Sequence, residues 1–260
     1  MVDNNISNSK IVTADYIFNP HTKNITVNAS SQKGCPMTCS FCVCNNLEYK
    51  GDYTKEEIVT EISKIILESQ LKQLRQFNIR FSKMGEPTFN KNVILAVKDI
   101  AEMYIMSNHY KVDNFYAMIS TMMPRDNINL EKFLKEWIEA GYKYSGEDGF
   151  GIQFSINTLN EYERNKMFNN SSLTLQEISK IIDRLPAPRK RKYILNFAVT
   201  SHSNLNPNLM NNYFDKDKCI IKITPMKRIY TVENNDINNM EICEKFRRTL
   251  INDGWDTVIF

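Results

Sequence analysis

Along the chain, short runs rich in β-branched and aromatic residues alternate with longer stretches in which apolar residues recur every three or four positions. The short runs predict strands, because such residues suit a pleated, half-buried surface. Six strands are predicted, at residues 25–29, 77–82, 114–120, 149–156, 193–199 and 219–224. The first twenty or so residues, rich in Asn, Ser and Thr, are predicted to be partly irregular despite one apolar run at 16–18.

The longer stretches predict helices. The most distinct one begins after Thr54, since Glu57 completes a capping box three residues later and Ile58 and Ile62 follow at helical spacing. The helix predicted from residue 130 is expected to stop at Gly141. The predicted helices after the first lie at residues 93–106, 130–140, 175–185 and 240–253.

Strands that alternate with helices predict an α/β fold with a parallel sheet, because each parallel step needs a crossover that a helix supplies. An open doubly wound sheet and a curved partial barrel both satisfy this pattern. The unusual residues lie at the carboxyl ends of predicted strands, where barrel folds gather their active sites. They are the loop at 30–44, Gly85 to Pro87, Ser120 and Thr121, and residues 155–157 and 224–225.

Three cysteines in the first of these loops are the main chemical signal of the sequence. Cys35, Cys39 and Cys42 follow a C-x3-C-x2-C spacing, so three thiolates can meet at one metal centre without long-range folding. Thiolates hold iron–sulfur clusters, and a four-iron cluster with three protein ligands keeps one iron open. Structural zinc, with Cys44 or a distant residue as fourth ligand, and simple core packing are alternatives at this point.

The composition narrows the class of protein. With 260 residues, 42% of them hydrophobic and 24% charged, the chain suits one globular domain with a substantial core. We expect a cytoplasmic protein with no membrane partner, because no apolar run is long enough for a span or an export signal. Four of six cysteines lie within ten residues, which favours a reducing compartment over disulfides. The net charge of +3 permits a nucleic-acid partner but does not require one.

A set of stretches occurs in the order found in one known family. They are residues 30–35 with the following cysteines, 50–59, 84–87, 119–121, 154–157 and 219–225. Together they resemble the radical S-adenosylmethionine (SAM) superfamily, and within it the RlmN/Cfr branch of RNA adenine methyltransferases. The resemblance implies a partial (βα)6 TIM-like barrel of the radical SAM type.

The same resemblance implies cofactors and a reaction. Cys35, Cys39 and Cys42 would hold a [4Fe–4S] cluster, and its open iron would chelate the amino and carboxylate groups of SAM. An electron from a donor such as flavodoxin or ferredoxin would then release methionine and a 5′-deoxyadenosyl radical. Glu86 matches the residue that binds the SAM amino group. The implied cofactor-binding residues are Gly85, Glu86, Ser120, Ser155, Asn157, Lys222 and Lys227.

The sequence departs from the branch where methyl transfer takes place. Asn28, seven residues before the first cluster cysteine, replaces the cysteine that resolves the protein–RNA adduct. We also expect the methyl-carrying cysteine and the branch's N-terminal RNA-binding domain to be absent, because the sequence ends at Phe260 and only about two dozen residues precede the first predicted strand. These departures favour an enzyme that uses its radical directly.

Other departures concern single site residues. Asp15 falls where the branch has a general-base glutamate, and it is the candidate catalytic residue. Asn157 replaces a histidine. Lys222 and Lys227 replace asparagines, one of which belongs to the SAM site.

The leading hypothesis is a radical SAM enzyme that abstracts hydrogen from an unidentified small-molecule, nucleotide, RNA or peptide substrate. One alternative is an RNA adenine methyltransferase that uses a displaced cysteine, Cys44, Cys219 or Cys243. Another alternative is a non-catalytic module that binds zinc or a cluster. The expected organisation is an N-terminal extension at 1–24 followed by a radical SAM core at 25–260.

Overall fold

The computed structural model describes residues 14–69, 71, 73–104, 110–200, 203, 205–226 and 236–259. Among these residues, no helix has both the length and the apolar character that crossing a lipid bilayer requires. The strands are β1 Ala14–Asn19, β2 Asn24–Ala29, β3 Gln73–Phe81, β4 Lys111–Thr121, β5 Gly151–Ser155, β6 Tyr193–Val199, β7 Cys219–Pro225 and β8 Thr257–Ile259. The α-helices are α1 Lys55–Glu68, α2 Asn92–Tyr104, α3 Leu130–Ser145, α4 Glu161–Met167, α5 Leu175–Arg184, α6 Met210–Tyr213 and α7 Asp236–Asn252.

The strands form one sheet in which each strand pairs with the next along the chain. β1 runs antiparallel to β2, and every later pair from β2 to β8 is parallel. At least one helix connects each parallel pair, because parallel neighbours need a crossover. Six strand–helix units from β2 to α7 thus form the predicted α/β architecture, a partial (βα)6 TIM-like barrel, which is confirmed.

The two faces of the sheet differ because side chains alternate along each strand. On β2 and β3, Ile25, Val27, Phe77 and Ile79 have no exposed surface and belong to the hydrophobic core beneath the helices. The alternate positions point to the inner face of the barrel. Many of these positions are polar, and they include Thr26, Asn28, Asn78, Arg80, Ser120, Gln153, Asn196, Lys222 and Thr224.

The predicted strands are all present, with small shifts at their ends. The capping box of α1 is also confirmed: the Glu57 N–H donates to Thr54 Oγ1 (3.2 Å), and the Thr54 N–H donates to Glu57 Oε2 (2.8 Å). The sequence did not predict β1, which pairs with β2 within the stretch expected to be partly irregular, and the first thirteen residues of that stretch lie outside the described residues. β1 ends before residue 25, the predicted start of the radical SAM core. The predicted division into an N-terminal extension at 1–24 and a core at 25–260 stays a prediction.

Three α-helices, α3, α4 and α6, differ from expectation. α3 does not stop at Gly141 but continues to Ser145. A Cβ atom at position 141 would lie 2.2 Å from the main-chain nitrogen of Phe150, so this glycine allows α3 to approach the start of β5 closely. The sequence also did not predict α4, a helix of seven residues, or α6, a helix of four.

Candidate functional site

The cysteine loop begins where β2 ends, at the carboxyl edge of the barrel. Cys39 is buried there, and Cys35 and Cys42 are half-buried. The N–H of Cys42 donates to the carbonyl of Cys39 (3.1 Å), which turns the loop tightly between these two residues. Cys39 also packs with Met122 and Phe168 in a small apolar cluster. The loop therefore presents its thiols at the edge where barrel enzymes place their chemistry.

The three thiols lie close enough to affect one another electrostatically. Burial raises the pKa of Cys39 to about 12, and the charges of Cys42, Cys35 and Glu86 add to this rise. Burial also raises the pKa of Cys35; a main-chain hydrogen bond at Met37 opposes the rise, and Glu86 and Cys42 add to it. Several groups that can become anionic thus share one partly buried space, which favours a cationic occupant.

The donor set of the loop fits an iron–sulfur cluster, since thiolates are the soft ligands that such clusters take. Within the described part of the chain, no three His, Cys, Asp or Glu side chains are grouped to hold a single metal ion. In a four-iron cluster each thiolate binds a different iron, so the cysteines do not have to converge on one point.

Gln32 joins the cysteine loop to two neighbouring stretches. Its side chain has no exposed surface. The Nε2 group donates to Asp52 Oδ1 (2.7 Å), and Oε1 accepts from the N–H of Glu86 (2.8 Å). Three stretches that are far apart in the sequence, around residues 32, 52 and 86, are thereby held together.

Asn90 reinforces this junction. Its Nδ2 group donates to the carbonyls of Ser31 (2.7 Å) and Tyr53 (2.8 Å). The N–H of Ser31 in turn donates to the carbonyl of Met84 (2.9 Å). Sequence reasoning missed Asn90, although a buried amide just after the Gly85–Pro87 turn is the kind of residue that satisfies loop main-chain groups.

The Glu86 carboxylate is buried and already bonded within the protein. Oε1 accepts from the N–H and the hydroxyl of Thr88 (3.2 and 2.8 Å), and Oε2 accepts from the N–H of Met122 (3.0 Å). Burial raises the pKa of Glu86, while hydrogen bonds from Met122, Thr121 and Thr88 oppose the rise. Glu86 therefore connects the ends of β3 and β4, and a SAM amino group would have to share the carboxylate with these donors. Its predicted contact with SAM stays a prediction.

Gly85 is required by a close approach of two chain segments. Its φ of +98° lies in the region that favours glycine, and a Cβ there would lie 2.6 Å from Ser31 Oγ and 2.7 Å from Gln32 Cβ. A larger residue would therefore separate the turn from the cysteine loop.

Polar residues on the inner face of the barrel form a chain of hydrogen bonds. Lys222 Nζ donates to Gln153 Oε1 (3.1 Å), and Gln153 Nε2 donates to Ser120 Oγ (3.1 Å). Burial lowers the pKa of Lys222, and the charge of Arg80 lowers it further. Sequence reasoning missed Gln153, which brings Ser120 and Lys222 into one polar surface.

The remaining predicted cofactor residues have different surroundings. Ser155 is half-buried at the end of β5. Asn157 is buried with a φ of +64°, and its Oδ1 accepts from the N–H of Ala198 (3.1 Å), so its side chain supports the end of β6. Lys227 lies outside the described residues. The predicted roles of all three in cofactor binding stay predictions.

Asp15 and Asn28, two positions that depart from the branch pattern, are hydrogen-bonded to each other. Asn28 Nδ2 donates to Asp15 Oδ1 (2.9 Å), and Lys83 Nζ lies 2.5 Å from Asp15 Oδ2. Burial acts to raise the pKa of Asp15, but hydrogen bonds from Lys83 and Asn28 and the charge of Lys83 lower it overall. Asp15 is thus held ionised near neutral pH, and Lys83 weakens it as a base. Its catalytic role stays a prediction.

The cysteines outside the cluster motif are all buried. Cys219 and Cys243 have no exposed surface, and burial raises the pKa of Cys219 to about 12. Burial also raises the pKa of Cys44 to about 11, and Cys42 adds to this rise by its charge and a side-chain hydrogen bond.

The sequence profile of the Radical SAM superfamily matches residues 30–199, well over half of the chain. The chain belongs to the radical SAM superfamily. Enzymes of this superfamily use a [4Fe–4S] cluster and SAM, and these are therefore its cofactors. The matched region contains the cysteine loop, Gln32 and Glu86.

Curated relatives that match this chain carry the name of RNA methyltransferases. A "Probable dual-specificity RNA methyltransferase RlmN" from Prochlorococcus marinus is 28% identical over 165 residues, which cover 63% of this chain and 42% of the relative. The "Dual-specificity RNA methyltransferase RlmN" of Buchnera aphidicola is 26% identical over 194 residues, covering 70% and 49%. These matches confirm the similarity to the RlmN branch, and the chain spans about half the length of these relatives or less.

Two solved structures share the fold. A radical SAM methyltransferase from Sphaerobacter thermophilus superposes with a TM-score of 0.62 at 16% identity, over 95% of this chain and 68% of that one. A structure of histidine-tagged "anSMEcpe with bound AdoMet" gives a TM-score of 0.54 at 15% identity, over 89% and 63%. At these identities the likeness concerns the fold alone.

The close approach at Gly85 generates a testable prediction. We expect Gly85→Ala to retain roughly tenfold less iron after anaerobic reconstitution, because overpacking costs about 1–3 kcal/mol. Gly51→Ala is the matched control, since Gly51 has a similar φ of +106° but no atom within 4 Å of a Cβ. Iron and sulfide analysis of both variants measures the difference. Equal loading of the two variants would contradict a packing role for Gly85.

Proposed function

We propose that the chain cleaves SAM reductively to methionine and a 5′-deoxyadenosyl radical, which abstracts hydrogen from a substrate. Cys35, Cys39 and Cys42 would hold the [4Fe–4S] cluster. When bound, the cluster supplies the electron that breaks the sulfonium bond and an open iron for the amino and carboxylate groups of SAM. The observation that carries this proposal is the junction at Gln32, which fixes the cysteine loop against the Glu86 turn.

The chain's own residues would supply position and protection. Gln32 and Asn90 hold the loop through buried hydrogen bonds, so the thiols keep one arrangement relative to the barrel edge. Met122 and Phe168 cover Cys39 with apolar surface. Such covering supports the proposal, because an enzyme that makes a reactive radical has to exclude water and competing groups from it.

The polar side chains on the inner face of the barrel support the proposal that the substrate is polar. Ser120, Gln153 and Lys222 present a hydrogen-bonded surface there, and Arg80 adds a second positive charge. A small molecule, a nucleotide, RNA or a peptide would each match such a surface. A low-potential donor such as flavodoxin or ferredoxin would deliver the electron.

Direct assay of SAM cleavage tests the proposed function. After anaerobic reconstitution, dithionite and SAM should yield 5′-deoxyadenosine and methionine in equal amounts, measured by chromatography. In Cys39→Ala, which loses a cluster ligand, we expect the yield to fall about a hundredfold. Cys219→Ala is the control, since Cys219 is a core residue on the opposite face of its strand from Lys222.

Metal analysis of the same samples separates the possible failures. An intact cluster without 5′-deoxyadenosine would overturn the proposed function. Zinc in place of iron and sulfide would favour the non-catalytic module.

RNA methylation is the second candidate function, because the curated relatives carry RNA methyltransferase names. Asn28 has no thiol and cannot act as the resolving residue. Its side-chain amide instead donates a hydrogen bond to Asp15. Within the described residues, the cysteines outside the cluster motif are Cys44, Cys219 and Cys243, and all are buried. Methyl transfer through any of them would therefore require the core to open.

Peptide mass spectrometry tests this second function. After incubation with SAM carrying a labelled methyl group, we expect Cys44, Cys219 and Cys243 to stay unmodified and added RNA to stay unlabelled. Their burial gives the physical reason, since a thiol has to reach SAM to accept its methyl group. A labelled cysteine or a methylated adenine would support the methyltransferase instead.

A further inference from the structure

Arg164, on α4, is a buried cation without a role in the SAM cleavage proposed above. Its side chain has no exposed surface. A charged residue is almost never fully buried unless its hydrogen bonds are satisfied, so its partners indicate what it does.

The donors of Arg164 bind main-chain oxygens at the carboxyl edge of the barrel. Nη1 donates to the carbonyls of Ser155 (2.8 Å) and Ile156 (2.6 Å), at the end of β5. Nη2 donates to the carbonyl of Met122 (3.4 Å) after β4 and to the hydroxyl of Ser172, and Nε donates to the carbonyl of Leu173 (3.4 Å). These acceptors are neutral, so the hydrogen bonds orient the guanidinium without cancelling its charge.

The same region of the chain holds the cysteine loop. The N–H and the hydroxyl of Ser40 both donate to the carbonyl of Met167 (2.9 and 3.2 Å). Asn169 Nδ2 donates to Thr38 Oγ1 (2.9 Å). The end of α4 and the residues after it therefore fix the loop segment around Cys39.

Arg164 and Cys39 also share an apolar neighbour. The guanidinium carbon of Arg164 lies 4.6 Å from the centre of the Phe168 ring, and Phe168 packs against Cys39. Burial lowers the pKa of Arg164 to about 10, while the charges of Glu161 and Cys39 act to raise it. The guanidinium therefore keeps its charge at neutral pH and interacts electrostatically with a predicted cluster ligand.

We propose that Arg164 is a positioning residue that also raises the reduction potential of the cluster by holding a fixed positive charge beside Cys39. This inference rests on the proposed function in one respect, the assignment of Cys35, Cys39 and Cys42 as cluster ligands. Reduction adds one electron from the low-potential donor to [4Fe–4S]2+, giving [4Fe–4S]+ with no proton transferred. A buried cation favours the more negative product, because charges interact strongly where water is excluded.

Potentiometric titration followed by electron paramagnetic resonance (EPR) tests this role. In Arg164→Gln, which removes the charge but keeps hydrogen-bonding capacity, we expect the ratio of reduced to oxidised cluster at a given potential to fall about tenfold. For one electron, that change corresponds to a midpoint lower by about 59 mV. In Arg164→Lys, which keeps the charge but loses the planar fork, the midpoint should stay near that of the wild type even where thermal stability falls.

Lys166→Gln is the matched control, since it removes an exposed positive charge two residues away on the same helix. Solvent screens this charge, so its loss should leave the midpoint nearly unchanged. Equal shifts in Arg164→Gln and Arg164→Lys would overturn the electrostatic role and leave Arg164 a packing residue only. A shift in Lys166→Gln as large as in Arg164→Gln would overturn it as well.

If Arg164→Gln fails to take up a cluster, the midpoint potential of Arg164→Lys tests the proposal. A wild-type midpoint in that variant supports the proposal, and a lowered midpoint contradicts it. If neither variant takes up a cluster, the electrostatic role is overturned, because Arg164→Lys keeps the charge, and Arg164 is a positioning residue only. Each readout is a potential, so it stays informative even if the enzyme proves unable to cleave SAM.

Discussion

The buried carboxamide of Gln32 is the group on which the geometry of the site depends. It donates to Asp52 and accepts from the main chain of Glu86, so both of its ends are satisfied without water. A buried polar group that loses its partner costs about 1–3 kcal/mol, and the cysteine loop therefore resists separation from either neighbour. Glu86 extends this constraint to β4, because its carboxylate accepts a hydrogen bond from the N–H of Met122 at the end of β4. A short loop after one strand thereby becomes part of the rigid edge of the barrel.

Local pattern was sufficient for much of the fold. The capping box at Thr54 and the β-branched strands could be predicted, since their signals lie within a few residues of one another. β1 was missed because its apolar run, at residues 16–18, is short and largely exposed, and it becomes a strand by pairing with β2. Gly141 matches the pattern of a helix stop, yet it serves the contact between α3 and Phe150, a tertiary feature that no local rule describes.

The functional site likewise combines features that have a local sequence signal with features that depend on tertiary contacts. The spacing of Cys35, Cys39 and Cys42 identified the ligand candidates, because all three lie within eight residues of one loop. The supporting residues Gln32, Asn90 and Arg164 were missed. Their partners are mostly main-chain groups from distant strand ends, and only the folded chain brings those groups within reach. For Asn157, the main-chain contact of its side chain similarly becomes visible only in the structure.

In the proposed function, the cysteine loop carries a cluster with one iron open to SAM. EPR of the dithionite-reduced protein, recorded with and without SAM labelled with nitrogen-15 at the amino group, tests it most directly. We expect a [4Fe–4S]+ signal that SAM changes, with coupling between the cluster and the labelled nitrogen. A cluster signal that is indifferent to SAM, or no cluster signal after reconstitution, would contradict it.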